Sequence, residues 1–219
     1  MVTIIVDDTE IQAQEGANLL EACLDNGIFI PNLCHIPGQS RPRASCRMCF
    51  VELEGVGRPV TSCTETVRGG MRVRTGTERV RRLQRAGLQF LLSVHDVDCG
   101  HCPSNKHCPL QDIARFLKVG LKSKKLDKIL SSPPVIREHP LLDYYPNRCI
   151  LCGRCLDACR RKMGQPLLTF AKRGFETIVS FFGEKERTAL ACGEEPVCAA
   201  ACPVSAIHLH SAVEDAQGA

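Results

Sequence analysis

The sequence predicts an α+β protein made of three small regions, each with its own group of cysteines. Short strand patterns alternate with amphipathic helical patterns along the chain, and 15 of the 219 residues are cysteine. Aromatic residues make up only 5% of the chain, with no tryptophan, so the large rings that usually fill a core are scarce. We place the regions at residues 1–76, 77–140 and 141–219 and expect bound groups, as well as apolar packing, to organise them.

The first region has the pattern of two hairpins around one helix. Asp7 and Asp8 mark a turn between the first two strand patterns, and Gly27 stands just past the end of the helical pattern. The predicted elements are strands at 2–6 and 10–14, a helix at 17–26, a hairpin at 48–53 and 58–62, and a short strand at 71–74.

The second region is predicted to be mostly helical, and the third to contain a hairpin. Thr77 can cap a helix whose apolar positions include Val80, Leu83, Gly87, Leu91 and Val94. The remaining predictions are a helix near 110–121, a connector over 122–140, hairpin strands at 167–171 and 175–182, and a frayed tail at 211–219.

Composition argues for metal-bound thiols in a reducing compartment. Disulfide scaffolds belong to secreted proteins, whereas Asp7 and Asp8 interrupt the first apolar run and leave no signal peptide. No apolar run approaches the roughly 18–20 residues of a membrane span. Arginines between Arg68 and Arg85 carry much of the net charge of +4, but they are not interleaved with aromatic residues, which argues against nucleic-acid binding. We expect a cytoplasmic protein without membrane insertion.

The first cysteine group has the spacing C-x11-C-x2-C-x13-C and consists of Cys34, Cys46, Cys49 and Cys63. Four thiolates are what a 2Fe–2S cluster requires, two for each iron. The loop lengths also suit zinc, so the spacing alone leaves both metals open. Cys23 stands outside the group on a helix face, where a small core residue is the simpler interpretation.

The second group has the spacing H-x3-C-x2-C-x5-C and consists of His95, Cys99, Cys102 and Cys108. One imidazole and three thiolates can hold either zinc or a 4Fe–4S cluster. His101 and His107 are alternative nitrogen ligands, which the spacing does not exclude.

The third group contains the run C-x2-C-x2-C-x3-C, which is the bacterial ferredoxin motif. In this motif the fourth cysteine of the run ligates a different cluster from the first three. By that rule, one 4Fe–4S cluster is held by Cys149, Cys152, Cys155 and Cys202.

The second cluster of the motif would use Cys159, Cys192, residue 195 and Cys198, but residue 195 is glutamate. Three alternatives are open here. Glu195 ligates a 4Fe–4S cluster through oxygen, the site holds a 3Fe–4S cluster, or the second cluster is absent. The sequence therefore predicts one 2Fe–2S cluster and two or three 4Fe–4S clusters.

The order of these groups resembles a known family. The segments LLEACLDNGIFIPNLCH, SCRMC, HDVDCGHCPSNKHC, NRCILCGRC and CPVSAI follow one another along the chain. They are similar to the cluster-bearing N-terminal part of the large iron–sulfur subunit of respiratory NADH dehydrogenase. The same module occurs in iron-only hydrogenases, in some NAD-dependent formate dehydrogenases, and as the small diaphorase subunit of cytoplasmic NAD-reducing nickel–iron hydrogenases.

The resemblance implies a 2Fe–2S β-grasp domain, a small helical domain with a 4Fe–4S cluster held by one histidine and three cysteines, and a bacterial-ferredoxin-like domain. It also assigns His95, rather than His101, to the second group. The sequence ends soon after Cys202 and has no Gly-rich dinucleotide motif. We therefore expect the small diaphorase subunit, with flavin and NAD bound by a larger diaphorase subunit and with the small and large hydrogenase subunits as further partners. The alternatives are the same module in a formate dehydrogenase or iron-only hydrogenase, and a zinc-stabilised binding protein.

Overall fold

The computed structural model describes residues 1–122, 126–181 and 196–209, which form two compact units. The first unit contains Met1–Ser93 and Pro109–Leu126, and the second contains Val94–Cys108 and the described residues from Asp127 onward. Both units mix helices with short strands. The prediction of three regions, each with its own cysteine group, is not tested by this division into two units.

A five-stranded mixed sheet forms the base of the first unit. In chain order its strands are β1 (Val2–Val6), β2 (Thr9–Ala13), β3 (Phe50–Leu53), β4 (Val60–Thr61) and β5 (Arg72–Arg74). They lie in the order β2-β1-β5-β3-β4, with β1 parallel to β5 and the other neighbours antiparallel. Asp7 and Asp8 turn the chain between β1 and β2 with φ of 49° and 70°, which aspartate tolerates in a tight hairpin.

Helix α1 (Leu19–Asp25) packs its apolar face on this sheet. The side chain of Asn18 caps it by accepting hydrogen bonds from the backbone N–H groups of Leu20 and Glu21. The predicted elements of this region are present with ends shifted by at most two residues. A mixed sheet around one helix agrees with the β-grasp fold that the resemblance implies.

Two further helices, α2 (Glu78–Val94) and α3 (Pro109–Leu117), belong to the first unit except for the last residue of α2. Thr77 caps α2 as predicted, accepting a hydrogen bond from the backbone N–H of Val80 at 3.2 Å. The buried face of α2 differs from the prediction. It consists of Val80, Gln84, Gly87, Leu88 and Leu92, whereas Leu83, Leu91 and Val94 are half-buried.

A polar contact explains this rotation of α2. Gln84 is fully buried because its amide nitrogen donates to the carbonyl of Phe50 at 3.1 Å, which ties α2 to strand β3. A hydropathy pattern assigns glutamine to the solvent face, so it cannot identify this contact.

Short elements around cysteine loops make up the second unit. Strand β6 (Leu142–Tyr144) pairs antiparallel with β9 (Ile207–Leu209), and β7 (Leu168–Ala171) pairs with β8 (Ile178–Phe181). Helix α4 (Arg154–Met163) packs against α5 (Val197–Ala200). The β7–β8 hairpin was predicted, whereas β6, β9, α4 and α5 were not. Of the helices described, none has both the length and the apolar character needed to cross a membrane.

Candidate metal centres

The first cysteine group forms two thiol pairs in the buried interior of the first unit. Cys34, Cys46, Cys49 and Cys63 are each at most 3% exposed. The Sγ atoms of Cys34 and Cys46 lie 3.4 Å apart. The hydrogen bond between these two side chains lowers the pKa of Cys34 and raises that of Cys46.

Cys49 and Cys63 make the second pair in the same way. The hydrogen bond from Cys49 lowers the pKa of Cys63 and raises that of Cys49, and burial raises the pKa of Cys49 further. Each pair therefore holds two cysteine sulfurs in hydrogen-bond contact. Because a 2Fe–2S cluster takes two thiolates per iron, two pairs fit such a cluster.

Several backbone and side-chain contacts hold the segments that carry the first cysteine group. The Glu21 carboxylate accepts hydrogen bonds from His35 Nε2 at 3.0 Å and from the backbone N–H of Gly38 at 2.9 Å. His35 directly follows Cys34 and is 7% exposed. The side chain of Asn18 donates to the carbonyl of Cys63 at 2.6 Å. Sequence reasoning missed Glu21 and His35, although the position of His35 beside Cys34 was a usable signal.

Cys23 lies on α1 within the hydrophobic core and is fully buried. Burial raises its pKa to about 12, with a smaller contribution from the negative charge of Asp7. The side chain is therefore a neutral thiol, which confirms the prediction of a small core residue.

In the second group, His95 has the environment of a neutral imidazole ligand. Burial lowers its pKa to about 4, although the hydrogen bond with Arg148 opposes this shift. Nδ1–H donates to the backbone carbonyl of Arg148 at 3.0 Å, which leaves the lone pair of Nε2 available for a metal. A histidine ligand commonly donates its second ring N–H to a carbonyl in this manner.

The alternative histidines have different surroundings. His101 is strongly exposed, and its Nδ1 lies 2.8 Å from the carboxylate of Asp98. His107 is exposed as well. Of the three cysteines in the group, Cys99 and Cys102 lie half-buried at one 3-10 turn, and Cys108 is buried directly before α3.

In the third group, Cys149, Cys152, Cys155 and Cys202 lie near one another in the second unit. Burial raises the pKa of Cys155, and the negative charges of the other three thiolates raise it further. The pKa of Cys149 is raised to about 12, again mainly by burial. Two backbone N–H groups donate to sulfur: that of Leu151 to Cys149 at 3.4 Å and that of Ala206 to Cys202 at 3.1 Å. Hydrogen bonds of this kind tune the potential of a bound cluster.

The pairing of β6 with β9 brings the two parts of this group together. Tyr144 lies opposite Ile207, and the backbone N–H of Tyr145 donates to the carbonyl of Ala206 at 2.8 Å. This ladder joins the chain just before Cys149 to the chain just after Cys202.

The fourth group is only partly described. Cys159 on α4 and Cys198 on α5 are buried, and Cys198 contributes to the raised pKa of Cys155. Cys192 and Glu195 lie outside the described residues. The predicted tail at 211–219 lies outside them too.

The donors fit clusters of several metal ions. Within the ranges that the structure describes, no three His, Cys, Asp or Glu side chains are placed to hold a single metal ion. The thiols are nevertheless buried and close to one another, and soft thiolates are the ligands that iron–sulfur clusters require.

Comparisons with known proteins agree with these sites. Residues 1–78 match the model of a 2Fe–2S iron–sulfur cluster binding domain, and residues 84–121 match that of an NADH-ubiquinone oxidoreductase-G iron–sulfur binding region. The second match contains the whole of the His95 group. Both models describe iron–sulfur proteins, so the alternative of a zinc-stabilised binding protein is set aside.

Similar proteins are subunits of oxidoreductases. The chain is 31% identical over 207 residues to the NADPH-Fe(3+) oxidoreductase subunit alpha of Geobacter sulfurreducens. It is 33% identical over 195 residues to the NADH-ubiquinone oxidoreductase 75 kDa subunit of Reclinomonas americana. These alignments include 94% and 84% of this chain but only 24% and 26% of the two relatives, so the chain spans about a quarter of their length.

A solved structure matches over a larger share of its own length. One chain of the crystal structure of NAD+-reducing nickel–iron hydrogenase in the H2-reduced state is 31% identical, with a TM-score of 0.83. The match covers 96% of this chain and 88% of that chain. The present chain therefore belongs to the family of iron–sulfur electron-transfer subunits that includes the 75 kDa subunit of NADH-ubiquinone oxidoreductase and this chain of the NAD+-reducing nickel–iron hydrogenase.

Proposed function

We propose that the chain relays single electrons between a nickel–iron hydrogenase module and a subunit that binds flavin and NAD. Oxidation of H2 releases two protons and two electrons, and reduction of NAD+ takes up two electrons and one proton. This chain makes and breaks no bond itself. The observation that carries the proposal is the likeness to the hydrogenase chain, because it extends over nearly the whole of both chains.

The proposed ligand sets follow the three well-described groups. In this proposal Cys34, Cys46, Cys49 and Cys63 hold a 2Fe–2S cluster, His95, Cys99, Cys102 and Cys108 hold one 4Fe–4S cluster, and Cys149, Cys152, Cys155 and Cys202 hold another. Bound clusters supply reversible one-electron transfer. The contribution of the protein is to bury the ligands, exclude water and donate hydrogen bonds to sulfur.

A direct connection within the second unit supports the relay. The carbonyl of Arg148 accepts the hydrogen bond from His95, and the next residue is Cys149. The backbone N–H of Asp96 also donates to the carbonyl of Asn147 at 2.6 Å. The two proposed 4Fe–4S ligand sets are thus joined by hydrogen bonds between residues that belong to them or flank them.

We extend the proposal to a bacterial-ferredoxin-like arrangement at the C-terminal end of the chain, in which Cys159, Cys192 and Cys198 hold a further 4Fe–4S or 3Fe–4S cluster with Glu195 at the fourth position. The buried positions of Cys159 and Cys198 support it. Glu195→Cys is then expected to produce a conventional 4Fe–4S electron paramagnetic resonance (EPR) signal. An EPR spectrum identical to that of the wild type would count against a cluster at this position.

The proposed partners and the proposed cytoplasmic location are tested together. The complex is purified anaerobically from the cytoplasmic fraction of the native host, and its chains, metals and flavin are identified. Nickel, iron and flavin in one complex with this chain are the expected result. Molybdenum or tungsten would instead indicate a formate dehydrogenase. Iron without nickel, molybdenum or tungsten would indicate an iron-only hydrogenase. Zinc without iron would overturn the electron relay.

A further inference from the structure

We propose that Lys128 and Arg148 raise the reduction potential of the 4Fe–4S cluster assigned to residues 95–108, which we call the His95 loop. Both residues place a positive charge in contact with the backbone of this loop. The inference rests on the proposed ligand set of the His95 loop. It assigns redox tuning to two side chains that coordinate no metal and that lie outside the ligand motif.

Lys128 contacts one of the proposed ligands directly. Its Nζ donates a hydrogen bond to the backbone carbonyl of His95 at 2.8 Å. The imidazole of His95 is fixed separately, because its Nδ1–H donates to the carbonyl of Arg148 at 3.0 Å. The ammonium group is therefore held on the same residue whose Nε2 is available for a metal.

The guanidinium group of Arg148 contacts the His95 loop between two further ligands. Its Nη2 donates to the backbone carbonyl of His101 at 3.5 Å, and His101 lies between Cys99 and Cys102 in the sequence. The guanidinium carbon also lies 4.2 Å from the centre of the Tyr145 ring, so a cation–π contact holds the group in place. Among the described residues no carboxylate forms an ion pair with Arg148, so its charge is not neutralised there.

The His95 loop has little positive charge of its own. Its charged side chains are two aspartates and one lysine, at positions 96, 98 and 106, and the three cysteine thiolates add negative charge when a cluster is bound. The net charge around an iron–sulfur cluster is one of the factors that set its potential. The reduced cluster carries one more negative charge than the oxidised cluster, so a nearby positive charge stabilises the reduced form. Lys128 and Arg148 therefore raise the reduction potential.

The test is a redox titration of the full chain followed by EPR, in which the signal of this cluster is identified by its loss in His95→Ala. Lys128→Gln and Arg148→Gln each remove one positive charge. We expect each to lower the equilibrium constant for reduction of this cluster by up to about tenfold, which corresponds to about 59 mV for one electron. Arg173→Gln is the matched control, because Arg173 is exposed in the same unit and its side chain makes no hydrogen bond or ion pair with a described residue.

A second pair of variants separates the effect of charge from the effect of contact. Lys128→Arg and Arg148→Lys keep the positive charge but change the hydrogen-bond geometry, so we expect potentials close to that of the wild type. Lys128 is exposed, so its variants should fold normally even if those of Arg148 do not. Added salt should also reduce the difference between the wild type and Lys128→Gln, because salt screens an exposed charge.

The outcomes separate this inference from the function on which it rests. If every 4Fe–4S signal of the wild type persists in His95→Ala, the ligand assignment is overturned and this inference with it. If one signal depends on His95 but keeps its potential in the glutamine variants, the tuning role alone is overturned. Equal shifts in the glutamine and charge-keeping variants would also contradict it, because the contacts and not the charges would then set the potential. So would an equal shift of the 2Fe–2S potential, whose proposed ligands lie in the other unit.

Discussion

Gly87 in helix α2 lies directly against the backbone of Arg47, in the middle of the loop that carries the first cysteine group. A methyl group on Gly87 would overlap the carbonyl oxygen of Arg47 and lie 3.3 Å from that of Cys46. Arg47 itself has a left-handed backbone with φ of 51°. Helix α2 therefore supports the loop between Cys46 and Cys49 through backbone contact, which a side chain at position 87 would prevent.

Gly87→Ala is expected to destabilise the first unit. Alanine favours a helix by about 1 kcal/mol over glycine, but overpacking against a backbone costs about 1–3 kcal/mol, so we expect a net loss of up to about 2 kcal/mol. The measurement is the urea concentration at which the visible circular dichroism of the 2Fe–2S cluster is lost. Gly57→Ala is the control, because no atom lies within 4 Å of a methyl group there. Equal midpoints for the two variants would contradict the supporting role of α2.

Glu21→Ala is expected to loosen the start of the cysteine loop. It removes the acceptor for His35 and for the backbone of Gly38, and hydrogen bonds to a charged group contribute about 1.5–3 kcal/mol. We expect faster loss of 2Fe–2S absorbance in the presence of a chelator. Glu21→Gln keeps an oxygen acceptor at this position and should restore most of the wild-type rate. If the Ala and Gln variants bleach equally fast, the carboxylate does not act through these hydrogen bonds.

Cys49→Ser and Cys23→Ala should have opposite effects on the 2Fe–2S EPR signal. Cys49 belongs to one of the two thiol pairs, so its loss leaves one iron with an incomplete thiolate set. Cys23 packs in the apolar core, and its truncation removes one small group at a cost of about 1 kcal/mol. We expect the signal to be lost or altered in the first variant and retained in the second. Loss of the signal in both would show that Cys23 affects cluster assembly.

The Cys23 thiol is also expected to resist alkylation in the native protein. Its pKa is raised to about 12 and its side chain is fully buried, so at pH 8 it is protonated and inaccessible, and the reactive thiolate is scarce. Mass spectrometry after treatment with iodoacetamide should find Cys23 modified only when urea is present. Rapid labelling of Cys23 in the folded chain would contradict the burial of this side chain.

His95→Ala and His101→Ala distinguish the two histidine candidates. His95 presents a free Nε2 while Nδ1 is bonded to Arg148, whereas His101 is exposed and paired with Asp98. We expect His95→Ala to lower the iron content by about one cluster and His101→Ala to leave it unchanged. The reverse result would move the nitrogen ligand to His101.

The sequence determined the features that depend on residues close together in the chain. The α+β class, the elements from β1 to β5 and the cap at Thr77 follow from local periodicity and local hydrogen bonds. The ligand spacings are local as well, which is why the cysteine groups could be identified without coordinates.

Strands β6 and β9 escaped prediction because three residues are too few for an alternating pattern to stand out. Their pairing also joins segments that are far apart in the sequence. The buried face of α2 was not predicted correctly, because the buried Gln84 donates a hydrogen bond to a carbonyl of β3 and a hydropathy pattern contains no information about such a partner.

Only the tertiary structure decided which groups meet at the sulfurs. The pairing of Cys34 with Cys46 and the placement of Gly87 against Arg47 both depend on the approach of separate segments within the first unit. In the second unit, the Tyr144 hydroxyl oxygen accepts a hydrogen bond from the backbone N–H of Val179, which lies 35 residues further along the chain. The candidate ligands can thus be predicted from their spacing in the sequence, whereas the contacts that hold the first cysteine loop arise only when distant segments fold together.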